Sequence, residues 1–418
     1  MRALVIGDGE HYPPVVRDAL AALPYEVAGL WLAGGGEKLR GGEDYGVPVV
    51  ESLEGGIAAL EPEIVVDLSD EPVLGPRERF RVASRVLALG LPYAGTDFRF
   101  DPPVLAPFPR PSLSVIGTGK RVGKTAVTGH VARLLGRDRD VVVVAMGRGG
   151  PPEPEVADVP PTLERLLELS RAGRHAASDY LETAALAGAV TIGCRRCGGG
   201  LAGSPGETNV LAGAALAAER EPDLVVFDGS GAAIPPVDTG ARLLVTSAAQ
   251  PVEVATGYLN AYRILVSDLV VVTGGHDERL VEAIHEVKEL PVVPVELRPR
   301  PVEPVAGRRV AYFSTAPAEA HEAISRHLHE EHGADVELVS GNLARRDELR
   351  EELAHAEADV YLVEIKAAAI DVVAEAALER GAEVVFADNQ LVPVGVHDLD
   401  VELVRLADAA AAKEVVPR

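Results

Sequence analysis

The chain has 418 residues, enough for two or three domains, and 47% of them are hydrophobic, enough for large cores; with aromatics at only 4%, those cores are expected to be aliphatic. The formal charge of −24 argues against a nucleic-acid surface, which needs a basic stripe. No apolar run is long enough to span a membrane, and the opening Met-Arg-Ala-Leu-Val-Ile-Gly-Asp-Gly reads as a first strand and turn rather than a signal peptide, so a cytoplasmic protein is expected.

Residues 1–108 are expected to form a small Rossmann-like α/β domain. Strands fall at 3–7, 26–31 and 64–68, with a short one closing at 91–94, and helices at 14–23 and 77–89. The first turn, Gly7-Asp-Gly9-Glu-His11, lacks the third glycine of a dinucleotide fingerprint, so NAD is not expected. His11 reads either as a ligand contact at a strand end or as a turn histidine. The Pro-rich stretch 101–111 cannot continue a helix or a central strand and marks a boundary.

A strand at 113–116 then feeds a Gly-rich loop ending in Gly123-Lys124-Thr125. An amphipathic segment follows, with Val127, Val131, Leu134 and Leu135 on one face. Strand, loop and helix together are the context of a phosphate-binding loop. Gly117, Thr118, Gly119, Lys120, Arg121, Val122 and Gly123 form the cradle, whose backbone N–H groups face the phosphates of a nucleoside triphosphate. Lys124 is placed to bridge the outer phosphates and Thr125 to hold Mg²⁺. Thr118 stands where the usual loop pattern has a glycine. The chain has only six lysines, and two sit in this loop; Lys120 is a candidate second catalytic cation.

The strand at 141–145 leads into Gly147-Arg148-Gly-Gly150. Ligands of open parallel sheets bind at the carboxyl ends of strands, so Arg148 is expected in the same crevice, clamping a substrate phosphate. Gly193-Cys-Arg195-Arg196-Cys-Gly-Gly-Gly200 reads as a Gly-rich loop whose arginine pair, Arg195 and Arg196, suits a polyanionic substrate. Cys194 and Cys197 form a lone C-x-x-C. Reduced thiols, a zinc site completed by histidines or a second subunit, and a redox pair all stay open.

Asp223-Leu-Val-Val-Phe-Asp228-Gly-Ser-Gly231 is an apolar strand tipped by a carboxylate that reaches Mg²⁺. Further strands at 243–247, 269–272 and 292–295 are continuous apolar runs, as in a parallel sheet covered on both faces. Thr273 and His276, after one of them, are candidates for reading the base. Residues 296–305, rich in Pro and Arg, are expected to be a second boundary. This gives a P-loop domain over 109–300 and a C-terminal α/β domain over 301–418, the latter with strands at 310–313, 336–338, 360–363 and 384–386 and a plain Ala-rich end. Lys366, at a strand-to-helix junction, is a further candidate substrate contact. The expected fold class is α/β: a central P-loop NTPase parallel-sheet domain flanked by the other two.

The loop Gly117-Thr-Gly-Lys-Arg-Val-Gly-Lys-Thr125 resembles that of dethiobiotin synthetase. Together with Gly7-Asp-Gly-Glu-His-Tyr-Pro-Pro14, Gly147-Arg-Gly-Gly150, the Gly-Cys-Arg-Arg-Cys-Gly-Gly-Gly loop and Glu364-Ile-Lys-Ala-Ala-Ala, it resembles the cyclic 2,3-diphosphoglycerate synthetase family over nearly the whole chain. That resemblance implies ATP-dependent closure of an intramolecular phosphoanhydride in 2,3-diphosphoglycerate, with ADP and phosphate as co-products. It also implies Mg²⁺, a small anionic substrate, and no nucleic-acid or membrane partner; a homodimer is compatible with it. Two other classes stay open. One is a different ATP-dependent small-molecule enzyme, such as a 2-phosphoglycerate kinase-like phosphotransferase or a carboxylate-activating ligase. The other is a nucleotide-switch ATPase, whose additional lysine five residues before Lys124 is here Gly119.

Overall fold

The computed structural model describes residues 1–413. Strand and helix alternate from the first residues. In the N-terminal unit, β1 (Arg2–Gly7), α1 (Pro13–Ala22), β2 (Glu26–Leu32), β3 (Val49–Val50), α2 (Leu53–Leu60), β4 (Ile64–Asp67), α3 (Pro76–Ala88), β5 (Tyr93–Ala94) and β6 (Arg99–Phe100) build a six-stranded sheet of order β3-β2-β1-β4-β5-β6. The pairs of β1 with β2 and β4 are parallel, as the apolar run Ala3-Leu-Val-Ile6, fully buried, requires. Within 101–111 the chain makes one short strand, β7 (Ala106–Pro107), paired outside the main sheets with β14 (Val237–Asp238).

The central unit follows. It runs through β8 (Ser112–Gly117), α4 (Lys124–Leu135), β9 (Val141–Gly147), β10 (Glu155–Ala157), α5 (Leu163–Arg171), α6 (Asp179–Ala187), β11 (Val190–Cys197), β12 (Glu207–Thr208), α7 (Val210–Glu219) and β13 (Leu224–Asp228). Past β14 it continues as β15 (Ala241–Ser247), α8 (Val252–Thr256), α9 (Asn260–Leu265), β16 (Leu269–Thr273), α10 (Glu278–Val287) and β17 (Val292–Pro301). Strands β9, β13, β8, β15, β16 and β17 are parallel neighbours in that order, with their apolar residues buried on both faces. The C-terminal unit has β18 (Arg309–Phe313), α11 (His321–His332), β19 (Asp335–Ser340), α12 (Arg346–His355), β20 (Val360–Glu364), α13 (Glu375–Arg380), β21 (Glu383–Pro393) and α14 (Leu399–Ala412).

Two expectations from the sequence are corrected. Residues 296–305, expected as a boundary, are largely strand: residues 296–301 complete β17, which pairs antiparallel with β21 from Val295↔Pro393 to Pro301↔Ala387. The central and C-terminal sheets are therefore one 13-stranded sheet. Beyond Val295, β17 has lost its parallel partner β16 and pairs on one side only, so the prolines that argued against a strand sit where one edge needs no donor. The Ala-rich end is also not a plain tail. It is α14, whose Leu399, Leu403, Leu406, Ala407 and Ala410 recur at helical spacing and are buried with Val115, Val127 and Leu243 in the core of the central unit.

The N-terminal unit docks on the central one through α3, which packs on α9. There Ser84 Oγ donates to the Tyr258 carbonyl at 3.2 Å and the Phe80 ring meets the Tyr258 ring edge-on.

Candidate functional site

The phosphate loop lies between β8 and α4, held from beneath. Thr118 N donates to Val245 O at 3.1 Å, and the Thr118 hydroxyl donates to Gln250 Oε1 at 2.6 Å. Val122 is buried in the core, and its carbonyl accepts from Thr273 Oγ1 at 3.0 Å. Gly123, at φ +80°, starts α4; a β-carbon there would lie 2.8 Å from Thr273 Cγ2, so the position excludes larger residues for both reasons. Thr273 thus supports the loop from within the cavity lining, and His276 lies outside that lining.

Lys124 projects from the first turn of α4. Its Nζ donates to Asp228 Oδ1 at 2.8 Å and to the Gly229 carbonyl. Asp228 is 1% exposed, and burial raises its pKa against the pull of Lys124. Its second oxygen, Oδ2, is buried without a hydrogen-bond partner, which an oxygen in such a place ordinarily has. A buried carboxylate oxygen and the Thr125 hydroxyl are donors of the kind that suit a divalent cation.

The turn after Asp228 is gripped by three cations. Gly229 O accepts from Lys124, Ser230 O from Arg196 Nη2 at 2.7 Å, and Ala232 O from Arg263 Nη2 at 2.6 Å. Arg263, on α9, is 2% exposed and pairs with no carboxylate among the described residues. Its remaining donors go to Leu259 O, Asn260 Oδ1 and Leu201 O, and burial pulls its pKa down to about 10. Asn260 in turn donates to Thr118 O at 3.2 Å. The pair therefore ties the phosphate loop, the Asp228 turn and the Gly-rich loop together. Nothing in the sequence flagged Arg263; the only local cue is an arginine inside an otherwise apolar helical stretch, Ala261-Tyr-Arg-Ile-Leu265.

Arg148 and Lys120 reach the same turn. A β-carbon on Gly231 would meet Arg148 Nη2 at 3.1 Å, Arg196 Nη2 at 3.5 Å and Lys120 Cγ at 3.7 Å. Two guanidinium groups and the stem of a lysine thus meet at one glycine in a chain of net charge −24. Lys120, Arg148, Ser230 and Gly231 line a cavity of about 1110 Å³ together with the phosphate loop. Its opposite wall comes from β17 (Leu297, Arg298, Pro299), α11 (Ile324, His327) and the ends of β18 and β20 in the C-terminal unit, including Lys366. Asp179 and Glu182 of α6 complete it.

The remaining candidates are placed differently. Arg195 is exposed, with its backbone N–H on Asn209 Oδ1, and lies outside the cavity lining. His11 is in the N-terminal unit, its Nδ1 2.7 Å from Asp8 Oδ1, and is not brought to the cavity. Residues 193–197, read as a loop, belong to β11. On a strand, positions three apart face opposite sides, so Cys194 is buried and Cys197 exposed, both as free thiols. Among the described residues, no group of three or more His, Cys, Asp or Glu could hold a metal.

Comparison with known proteins completes the description. The P-loop domain model of cyclic 2,3-diphosphoglycerate synthetase matches residues 112–295, the N-terminal domain model 2–101 and the C-terminal domain model 301–390. Curated proteins named cyclic 2,3-diphosphoglycerate synthetase align along almost the entire length. That of Rubrobacter xylanophilus is 50% identical with 98% of each chain covered, that of Thermococcus kodakarensis 42% with 96% of each, and that of Methanothermus fervidus 38% with 97% of each. Among solved structures, LpxK from Aquifex aeolicus in complex with ATP aligns at a TM-score of 0.45 and 14% identity, covering 74% of this chain and 90% of its own, too distant to bear on function. Three domain models in order along the sequence, and relatives matched from end to end, place this chain in the cyclic 2,3-diphosphoglycerate synthetase family.

Proposed function

We propose that this protein uses ATP to join the two phosphates of 2,3-diphosphoglycerate into an intramolecular phosphoanhydride, releasing ADP and inorganic phosphate. The observation that carries the reading is the approach of the Arg148 and Arg196 guanidinium groups and the Lys120 side chain to Gly231, with Lys120, Arg148 and Gly231 lining one cavity together with the phosphate loop. A carboxylate or hydroxyl acceptor does not need that density of cations; a substrate bearing two phosphates beside a triphosphate does.

In the first step an oxygen of one substrate phosphate attacks the γ-phosphorus, the bond to the ADP oxygen breaks, and a pyrophosphoryl group forms. In the second, the other substrate phosphate attacks the inner phosphorus of that group and expels inorganic phosphate, closing the ring. Phosphate oxygens are already ionised at neutral pH, so no general base is required, and catalysis is positioning plus charge neutralisation. Lys124 leaves Asp228 to follow the γ-phosphoryl oxygens, while Lys120 and Arg148 neutralise the attacking phosphate and Arg196 the second one. Thr125 and Asp228 are the residues that would hold a magnesium ion, which when bound offsets charge on the outer phosphates of the nucleotide.

The test is ADP release by the purified protein with MgATP and a panel of acceptors. The reading expects release with 2,3-diphosphoglycerate and none above background with 2-phosphoglycerate. Release with 2-phosphoglycerate alone selects the kinase-like alternative, and release independent of any acceptor selects the switch ATPase.

A further inference from the structure

The C-terminal unit carries a ligand address of its own. Its strands lie in the order β21-β20-β18-β19, with β18 parallel to both β19 and β20. From β18 the chain goes to β19 on one side and then to β20 on the other. The crevice between the carboxyl ends of β18 and β20 is therefore a topological switch point, where open parallel sheets bind ligands. The segments leaving those two ends, through Thr315 and Lys366, open into the cavity that the phosphate loop lines from the other side.

The backbone at Lys366 is unusual twice over. Ala367 has φ +45°, a left-handed conformation that a β-carbon disfavours. The following turn, Ala369–Ala374, is a π-helix, a form that recurs at functional sites. Together they turn the chain at the end of β20, so that Lys366 stays at the cavity wall. Its Nζ is 3.6 Å from Glu364 Oε2 and 3.8 Å from Glu182 Oε1, which comes across from α6 of the central unit. Both distances exceed hydrogen-bond length, and the Glu364 oxygen concerned is buried without a hydrogen-bond partner. The ammonium is thus held between the two carboxylates at ion-pair distance, at the wall of the cavity.

Ring closure decides which part of the substrate this site takes. Both phosphates of 2,3-diphosphoglycerate must meet at the nucleotide's terminal phosphoryl group, among Lys120, Arg148 and Arg196. The one anionic group left over is the carboxylate. Resting on the cyclisation reading, we infer that the β18–β20 crevice is a carboxylate subsite, in which Lys366 Nζ and the Thr315 hydroxyl hold the glycerate carboxylate and Glu182 acts as a positioning residue for Lys366.

The charges around it are consistent with an anion. Burial opposes the Lys366 charge, but Glu364 and Glu182 outweigh it and raise its pKa. Burial pushes Glu182 up to about 8, against the attraction of Lys366. The other charges facing Glu182 are Asp179 on its own helix, Glu364, and Asp388 of β21; Asp388 is engaged by Arg133 and Arg300 at 2.9 Å each.

The experiment compares 2,3-diphosphoglycerate with propane-1,2-diol bisphosphate, which has the same two phosphates and no carboxylate, on wild type, Lys366→Gln and Thr315→Ala. Wild type is expected to turn over the diol bisphosphate with kcat/KM at least about tenfold lower, and Lys366→Gln to lose about 10- to 100-fold in kcat/KM on the natural substrate. Neither variant should lose more than about twofold on the diol analogue, a selectivity that damage to the fold would not produce. Equal losses on both substrates, or a wild type indifferent to the carboxylate, overturn the assignment while leaving cyclisation intact. A wild type that releases ADP with neither compound overturns both. Should Lys366→Gln fail to fold, the wild-type comparison and Thr315→Ala still decide.

Discussion

Replacing Lys124 by Met removes the partner of a carboxylate that is 1% exposed. In the native protein Asp228 Oδ1 is 2.8 Å from Lys124 Nζ, so the variant leaves the carboxylate without its charged partner in the interior. Breaking a buried pair from one side costs about 3–5 kcal/mol. With an unfolding entropy of about 2.1 cal/mol/K per residue, a chain of 418 residues unfolding as one unit has close to 0.9 kcal/mol/K, which converts that cost into a fall in Tm of about 3–6 °C. Part of the cost is relieved by protonation, since the Asp228 pKa is already raised and rises further without Lys124. Asp228→Asn in the Lys124→Met background removes the orphaned charge and should recover most of the lost Tm without recovering turnover. Loss of a clamp on the transferring phosphoryl group lowers kcat by about 10²–10³-fold or more. The assays are differential scanning calorimetry on the two single variants and the double, and ADP release at saturating substrates. Additive Tm changes in the double variant, or a Lys124→Met enzyme with wild-type turnover, would refute the reasoning.

Other expectations concern the supports of the site. Arg263→Lys keeps the charge but not the fork that binds Ala232 O, Leu259 O and Leu201 O; we expect kcat to fall about tenfold or more with nucleotide affinity within threefold, measured by titration with a fluorescent nucleotide. Arg196→Ala should raise the KM for 2,3-diphosphoglycerate at least about tenfold more than Arg195→Ala does, because only Arg196 is tied to the Ser230 turn beside Arg148. For Glu182, the folded pKa lies above the ordinary value, so the proton is held below about pH 8 and lost above it. The KM for 2,3-diphosphoglycerate should therefore climb as pH rises through that range in wild type and stay flat in Glu182→Gln. A thiol reagent should label one site rapidly, Cys197, since burial pushes Cys194 up to about 12; mass spectrometry of the native protein reads this directly.

The phosphate loop and Asp228 were legible because each is a contiguous motif whose strand, turn and helix signals agree, and local geometry alone places their side chains. Arg148 and Lys366 were legible by a weaker rule, that ligands gather at the carboxyl ends of parallel strands, and the fold brings both to one cavity. The same rule could not place His11, because it says nothing about which strand ends face each other across units. The extension of β17 beyond Val295 was hidden by its prolines, whose missing donors matter only on a paired edge. α14 was hidden by its alanines, although Leu399, Leu403 and Leu406 with Ala407 and Ala410 already trace a helical face. Glu182 and Arg263 could not be read at all. Their importance arises from contacts across more than 180 residues in one case and from three separate loops meeting at one guanidinium in the other.

The most direct measurement of the central claim is phosphorus NMR of the purified protein with Mg²⁺, ATP and 2,3-diphosphoglycerate. Cyclisation predicts loss of both phosphomonoester resonances of the substrate, a new pair in the phosphoanhydride region, and ADP and inorganic phosphate in equal amounts. ATP consumed while the two phosphomonoester resonances stay unchanged would contradict the account.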